Sequence, residues 1–300
     1  KAFMPCYPKR RCKPMAIDLK IAVVTDIHHG TPRLAKRGDR ALDLIDQFLG
    51  FCSDYGPDLI ADLGDRINDQ DQETDRRLLG EVAVKFRGLN TPHVHLDGNH
   101  DSDFLLPEDN AAAVDSGKHA SRDVNGYHLV FWNASTKIPR PDPFCPSDDD
   151  MAWLAQDLAS TNLPTVIFSH VPFGGVSMVG NYWFSNTPRF ATYPNAAEIR
   201  QIVENTGHVI LCVAGHVHWN SLHRVNAVPH ITIQSLTDSP ASGGEPAEAW
   251  ATLEFGGGQI RWRTFGLDPI EVVLPIRQPG EAWAECLPPL NARPEAVSKY

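Results

Sequence analysis

No stretch of this 300-residue sequence approaches the roughly 18 uninterrupted apolar residues of a membrane-spanning helix, and its start lacks the apolar core of a secretory signal. Both absences point to a soluble, cytoplasmic protein with no membrane partner. Cys-x-x-Cys spacing is missing as well. Cys6, Cys12, Cys52, Cys145, Cys212 and Cys286 are scattered, which excludes a disulfide framework or a cysteine zinc site and fits reduced thiols. There is no basic stripe, and the net charge is -10. A nucleic-acid polymer, whose neutralisation needs many clustered Lys and Arg side chains, is therefore excluded, although local positive charge can still hold a small anion. No internal repeat or low-complexity tract occurs.

What is present suffices for a full core, with 42% hydrophobic residues over a length that suits one large α/β domain or two small ones. Residues 1–14 are basic and proline-punctuated, and Met15 begins a stretch that reads as a natural start, so 1–14 is expected to be a disordered leader or added extension. Its Cys6-Tyr7-Pro8-Lys9-Arg10 resembles the formylglycine-sulfatase signature by chance. Residues 15–270 are expected to form the domain. The proline-rich residues 271–300 read as a tail that could wrap the body or contribute to a homo-oligomer.

Short β-rich runs (LKIAVVTDIHH, PDLIADLGD, TPHVHLDGNHD) alternate with amphipathic segments (ALDLIDQFLGFCSDY, QETDRRLLGEVAVKFRG), which predicts an α/β core. Asp148-Asp149-Asp150 reads as the acidic N-terminus of a helix rather than a metal site. After His218 the strands are separated only by turns, which predicts a second, more antiparallel sheet packed on the first.

The ends of successive candidate strands carry Asp26-Ile27-His28, Gly64-Asp65, Gly98-Asn99-His100-Asp101, His170 and Gly215-His216-Val217-His218. One His-x-His is unremarkable, because alternate strand residues share a face whatever they bind. Five strand ends bearing Asp, Asn or His describe loops converging at one sheet edge, where α/β folds place active sites. Carboxylate, amide oxygen and imidazole without thiolate suit Mn²⁺, Fe²⁺/Fe³⁺, Co²⁺ or Zn²⁺.

In this order and with these residues, the chain resembles the calcineurin-like metallophosphoesterase superfamily (D-x-H, G-D, G-N-H-[DE], H, G-H-x-H) from Ile21 to about Asn220. The resemblance implies a four-layer αββα sandwich of two mixed β-sheets flanked by helices, and two divalent or mixed-valence metal ions. Asp26, His28, Asp65 and His218 would hold one ion, and Asp65, Asn99, His170 and His216 the other. It further implies in-line attack of a metal-bridging hydroxide on phosphorus, with His100 stabilising the transition state or protonating the leaving group and Asp101 orienting the loop as the second catalytic candidate. Asn99 and His100 would also face the substrate phosphate. Asn68 stands where the protein phosphatases of this superfamily carry Asp, and Asp101 where they carry Glu. Both look more like the bacterial branch containing class III cyclic nucleotide phosphodiesterases and glycerophosphodiesterases, where the Asn68 position contacts substrate phosphate. The expected substrate is therefore a small phosphodiester; a phosphomonoesterase, a nucleotide pyrophosphatase or a non-catalytic protein-binding scaffold are the alternatives.

Arg66 is expected either to assist substrate binding or to form a surface salt bridge. His29 reads as a residue behind the site or in solvent, and His93 and His95 as structural. In the loop 171–195, Phe173, Tyr182 or Trp183 would either stack on substrate or anchor the loop to the core. Trp219 would line the same pocket or fill the space between the sheets.

Overall fold

The computed structural model describes residues 16–240 and 242–276. The expected leader and all but the first residues of the expected tail lie outside them. Twelve strands, six α-helices and two short 3-10 helices occur among the described residues. The strands are β1 (Leu19–Val24), β2 (Leu59–Asp62), β3 (His93–His95), β4 (Ala120–Val124), β5 (Tyr127–Phe131), β6 (Thr165–Ser169), β7 (Val209–Ala214), β8 (Ser221–Val225), β9 (Val228–Thr232), β10 (Ala251–Gly256), β11 (Gln259–Thr264) and β12 (Glu271–Pro275). The α-helices are α1 (Ala41–Tyr55), α2 (Gln72–Phe86), α3 (Asn99–Ser102), α4 (Pro107–Val114), α5 (Asp148–Ala159) and α6 (Ala196–Thr206).

The strands form two six-stranded mixed sheets, ordered β12-β11-β10-β1-β2-β3 and β4-β5-β6-β7-β9-β8. Strand periodicity explains how each sheet serves two layers. Ile21 and Val23 of β1 face inward with Leu129, Val166 and Leu211 of the other sheet, whereas the intervening Ala22 and Val24 face outward onto Leu44, Ile45 and Phe48 of α1 and Val82 and Phe86 of α2. The second sheet behaves the same way: Val130, Ile167 and Cys212 pack outward on Leu154 and Leu158 of α5 and Ile199 and Val203 of α6. The result is the four-layer αββα sandwich. Central strands buried on both faces read as nearly unbroken apolar runs, and each large aliphatic side chain withdrawn from water contributes about 2 kcal/mol.

Two expectations about the second half are corrected. The strands after His218 do not make a sheet of their own: β9 pairs in parallel with β7, β8 closes that edge antiparallel, and β10 crosses back to pair antiparallel with β1. Nor does the tail begin at Glu271, because residues from Glu271 pair with β11 as the edge strand β12. Among the described residues no helix is long and apolar enough to cross a membrane.

Within each sheet the site-bearing strands run parallel, β1 with β2 with β3 and β5 with β6 with β7. Their C-terminal ends therefore open on the same edge.

Candidate metal centre

The loops at that edge are tied to one another before any ligand is considered. Asp26 N–H donates to Gly64 O at 2.9 Å, His28 N–H to Asp65 O at 2.9 Å and Gly215 N–H to His170 O at 3.0 Å. The Asp26 carboxylate accepts from His216 N–H at 2.9 Å and from Thr25 Oγ1 at 2.7 Å. Such tight turns leave little room: a Cβ on Gly215 would collide with Thr25 Oγ1 and come within 2.7 Å of Asp26 Oδ2. The backbone is also held in an unfavourable region. Asp26, His28, Asp65, His216 and His218 all have positive φ, from 48° to 68°, a conformation that costs non-glycine residues of order 1 kcal/mol or more and that gathers at functional sites.

The side chains so presented form two groups that share Asp65. Donor atoms of Asp26, His28, Asp65 and His218 lie within 4.8 Å of one another, as do those of Asp65, His170 and His216. Asn99 joins the second group, its Oδ1 standing 3.4 Å from His170 Nε2. All six Asp and His side chains are buried. The imidazoles are oriented from behind: His170 Nδ1 meets Leu63 O at 2.8 Å, His218 Nδ1 meets Asp238 Oδ2 at 2.7 Å, and His216 Nε2 meets Phe190 O at 2.8 Å. Ring nitrogens anchored this way aim the opposite nitrogen inward.

Three observations make this a fit for bound cations. Asp26 Oδ1 is a buried carboxylate oxygen without a hydrogen-bond partner, although His218 Nε2 lies 3.2 Å away out of line. The Nε2 atoms of His28 and His218 face each other at 3.0 Å, an arrangement natural for two lone pairs converging on one ion. The electrostatics of the cluster also favour positive charge. Burial opposes charging His170 and His218, yet Asp65 beside the first and Asp26 and Asp238 beside the second raise both to about 9. Burial, helped by the charge on His170, pushes His216 down to about 3. The buried carboxylates thus call for positive charge, which the donor set of carboxylate and imidazole can take as metal ions.

Around the cluster lies a cleft of about 950 Å³ lined by Asp65, Asn68, Asn99, His100, His216 and His218 together with Lys36, Asp69 and Trp183. His100 Nδ1 is hydrogen-bonded to Asp69, and its Nε2 is 2.8 Å from Lys36 Nζ. Asp69, which the sequence reading did not single out, orients His100; a carboxylate one place past Asn68 in the same block was the available signal. The Asn68 amide lines the cleft, with one N–H donated to Thr31 O at 2.8 Å.

The expected role of Arg66 is corrected. Arg66 is neither a substrate contact nor a surface salt bridge. It is fully buried, with Nη1 on Asp62 (3.1 Å) and Leu96 O (2.6 Å) and Nη2 on Asp97 (2.6 Å) and Asn110 (3.2 Å). Asp101 does not reach the cleft. Both its oxygens accept backbone N–H groups, from Asp65 (2.8 Å), Arg66 (2.9 Å) and Gly98 (2.9 Å), so it positions the turn that carries Asp65. His95 joins the same buried network through Asp62 at 2.9 Å, whereas His93 bonds Thr91 O and His29 pairs with Glu81 at 2.7 Å.

The aromatic loop divides. Phe173 is buried against Trp132 and His230 and anchors the loop to the core. Tyr182 is exposed and leans on Trp183. Trp183 lines the cleft, and its Nε1 donates to Asp238 Oδ2 at 2.6 Å, the same oxygen that meets His218. Trp219 packs on a small cluster with Met178 and Val217. Lys36 and Asp238 carried no motif that would have revealed them.

Among solved structures, a dimetal phosphatase from Danio rerio superposes with a TM-score of 0.70 at 13% identity, covering 87% of this chain and 100% of that one. The protein described as the anchor in the inner membrane complex of Plasmodium superposes with a TM-score of 0.57 at 13% identity, covering 89% and 91%. Both are likenesses of fold. No curated protein sequence matches the chain significantly. The profile of calcineurin-like phosphoesterases matches residues 19–220. That match spans more than half of the sequence, and the chain belongs to the calcineurin-like phosphoesterase family.

Proposed function

We propose that this phosphoesterase is a two-metal hydrolase of small phosphodiesters, related to the bacterial class III cyclic nucleotide phosphodiesterase and glycerophosphodiesterase branch. The observation that carries the reading is the pair of donor groups joined by Asp65. Asp26, His28, Asp65 and His218 would hold one ion, and Asp65, Asn99, His170 and His216 the other; Mn, Fe, Zn and Co suit this set. Metal ions held there supply electrostatic stabilisation to the phosphoryl oxygens in the transition state and ease deprotonation of the attacking water.

The remaining work falls to the chain's own side chains. His100, oriented through Nδ1 by Asp69, presents Nε2 to the cleft and can donate a proton to the departing alkoxide, a role worth about 10² to 10⁴-fold. Asn68 and Asn99 offer amide groups to the phosphate. Asp101 and Arg66 keep the Asp65 turn in place from behind. The volume of the cleft, together with the apolar side chains of Phe104, Ile138, Trp183, Phe184 and Phe190 along it, supports a phosphate carrying a second organic group.

A monoester or nucleotide pyrophosphate substrate is the second reading, favoured by Arg33, Lys36, Arg140 and Arg189 on the same lining. Turnover of bis(p-nitrophenyl) phosphate and p-nitrophenyl phosphate by metal-reconstituted protein, with and without chelator, separates the two. The diesterase reading expects chelator-sensitive preference for the diester. Preference for the monoester transfers the assignment to phosphatase, and absence of turnover with metal bound favours a scaffold.

A further inference from the structure

Lys36 is an unusual lysine. Its residue is only 5% exposed, yet among the described residues no carboxylate lies within ion-pair distance of its ammonium, a position that buried charges rarely occupy without a partner. Its Nζ stands 2.8 Å from His100 Nε2 and 5.2 Å from the centre of the Trp183 ring. The placement is built into the fold. Lys36 N–H donates to Arg33 O at 3.0 Å, the residue forms an isolated bridge to Asp238, and Arg37 N–H donates to Thr237 O at 3.1 Å. Asp238 in turn holds both Trp183 and His218. The ammonium is therefore fixed at the cleft wall by the same segment that orients a metal-site imidazole, with the indole covering one side.

An ammonium has three donors. One meets His100 Nε2; among the described residues no other hydrogen-bond acceptor takes the remaining two. His100 and Lys36 converge on one point of the cleft lining, and a compact point charge on a flexible stem is a well-suited partner for a phosphoryl oxygen.

We propose that Lys36 is a substrate-binding residue of this site, donating to a non-bridging phosphoryl oxygen through the N–H groups that His100 does not occupy. The assignment rests on the hydrolase reading above. It adds a fixed cation to the charge that receives the phosphate, in a protein that is acidic overall.

The test compares wild type with Lys36→Met, which keeps the aliphatic stem, and Lys36→Arg, which keeps the charge. Each protein is first checked for metal content and melting temperature. Inorganic phosphate is the probe, its affinity for metal-loaded protein measured by calorimetry, beside kcat and KM for bis(p-nitrophenyl) phosphate. The expected result is at least a tenfold loss of phosphate affinity and of kcat/KM in Lys36→Met, with Lys36→Arg retaining phosphate affinity within about threefold. Phosphate affinity within twofold of wild type in Lys36→Met overturns the proposal, even if turnover falls. If Lys36→Met lowers the melting temperature, the comparison passes to Lys36→Gln against Lys36→Arg, and equal phosphate affinity in those two also overturns it. Failure of the hydrolase reading shows separately, as absence of metal-dependent turnover in wild type, while phosphate affinity still tests Lys36.

Discussion

At the scale of single residues, the site is assembled at the expense of local backbone comfort. Five of its Asp and His residues adopt positive φ, and the bonds between neighbouring loops hold them there. His100 lies outside both donor groups, so His100→Ala is expected to lower turnover about 100-fold or more while leaving bound metal unchanged, as read by kinetics beside elemental analysis. Loss of metal in that variant would instead make His100 a ligand. Arg66 supplies a different prediction. Its guanidinium is fully buried among Asp62, Asp97 and Asp101, and removing one member of a buried ion network leaves the others uncompensated. Arg66→Met should therefore cost about 3 to 5 kcal/mol in denaturant unfolding; a loss below about 1 kcal/mol would show that the carboxylates do not depend on it. The motif residues were legible in the sequence because order and identity survive without geometry. Arg66 was misjudged because burial is not: an arginine beside a motif aspartate reads the same whether it faces the cleft or the interior. Lys36, Asp69 and Asp238 act through distance in space, which separations such as the 64 residues between Lys36 and His100 conceal.

At the scale of elements, helix boundaries were the most readable feature. The segment ALDLIDQFLGFCSDY coincides with α1, whose buried Leu44, Ile45, Phe48 and Cys52 repeat at helical spacing before Gly56 ends it at φ 63°. The acidic triplet at 148–150 opens α5, where Ser147 Oγ accepts from Asp150 N–H and the Asp150 carboxylate returns to Ser147 N–H at 2.8 Å. Ser147→Ala is expected to cost about 1 kcal/mol in thermal unfolding. Asp150 adds a pH dependence of known sign. Burial raises its pKa, but hydrogen bonds from His119 and from Ser147 and Ser135 outweigh that and hold it at about 2, below the ordinary 3.8. A depressed carboxyl contributes stability above its unfolded pKa and loses it as pH falls. The stability gap between wild type and Asp150→Asn should accordingly be full at pH 5 and shrink as pH falls from 4 to 2. A gap that stays constant across that window would refute the assignment. Strand β4 escaped the sequence reading because an edge strand with three exposed polar residues lacks an apolar signature.

At the scale of the whole molecule, the sequence revealed the layers but not how the chain is shared between them. Alternating patterns predict sheets and helices, whereas the return of β10 to β1 depends on which apolar faces meet, and Leu253 and Phe255 look alike on either sheet. That return has a functional side. It leaves β1, β2 and β3 as one parallel set facing the parallel β5, β6 and β7, and the donor residues come from the ends of both sets. The candidate metal centre is therefore a joint product of the two sheets, and Asp65 is its shared member. Elemental analysis of metal-loaded wild type beside Asp65→Asn tests this most directly. The account predicts two ions per chain in wild type and fewer than one in the variant. Equal metal content in both proteins, or no bound metal in wild type, would contradict it.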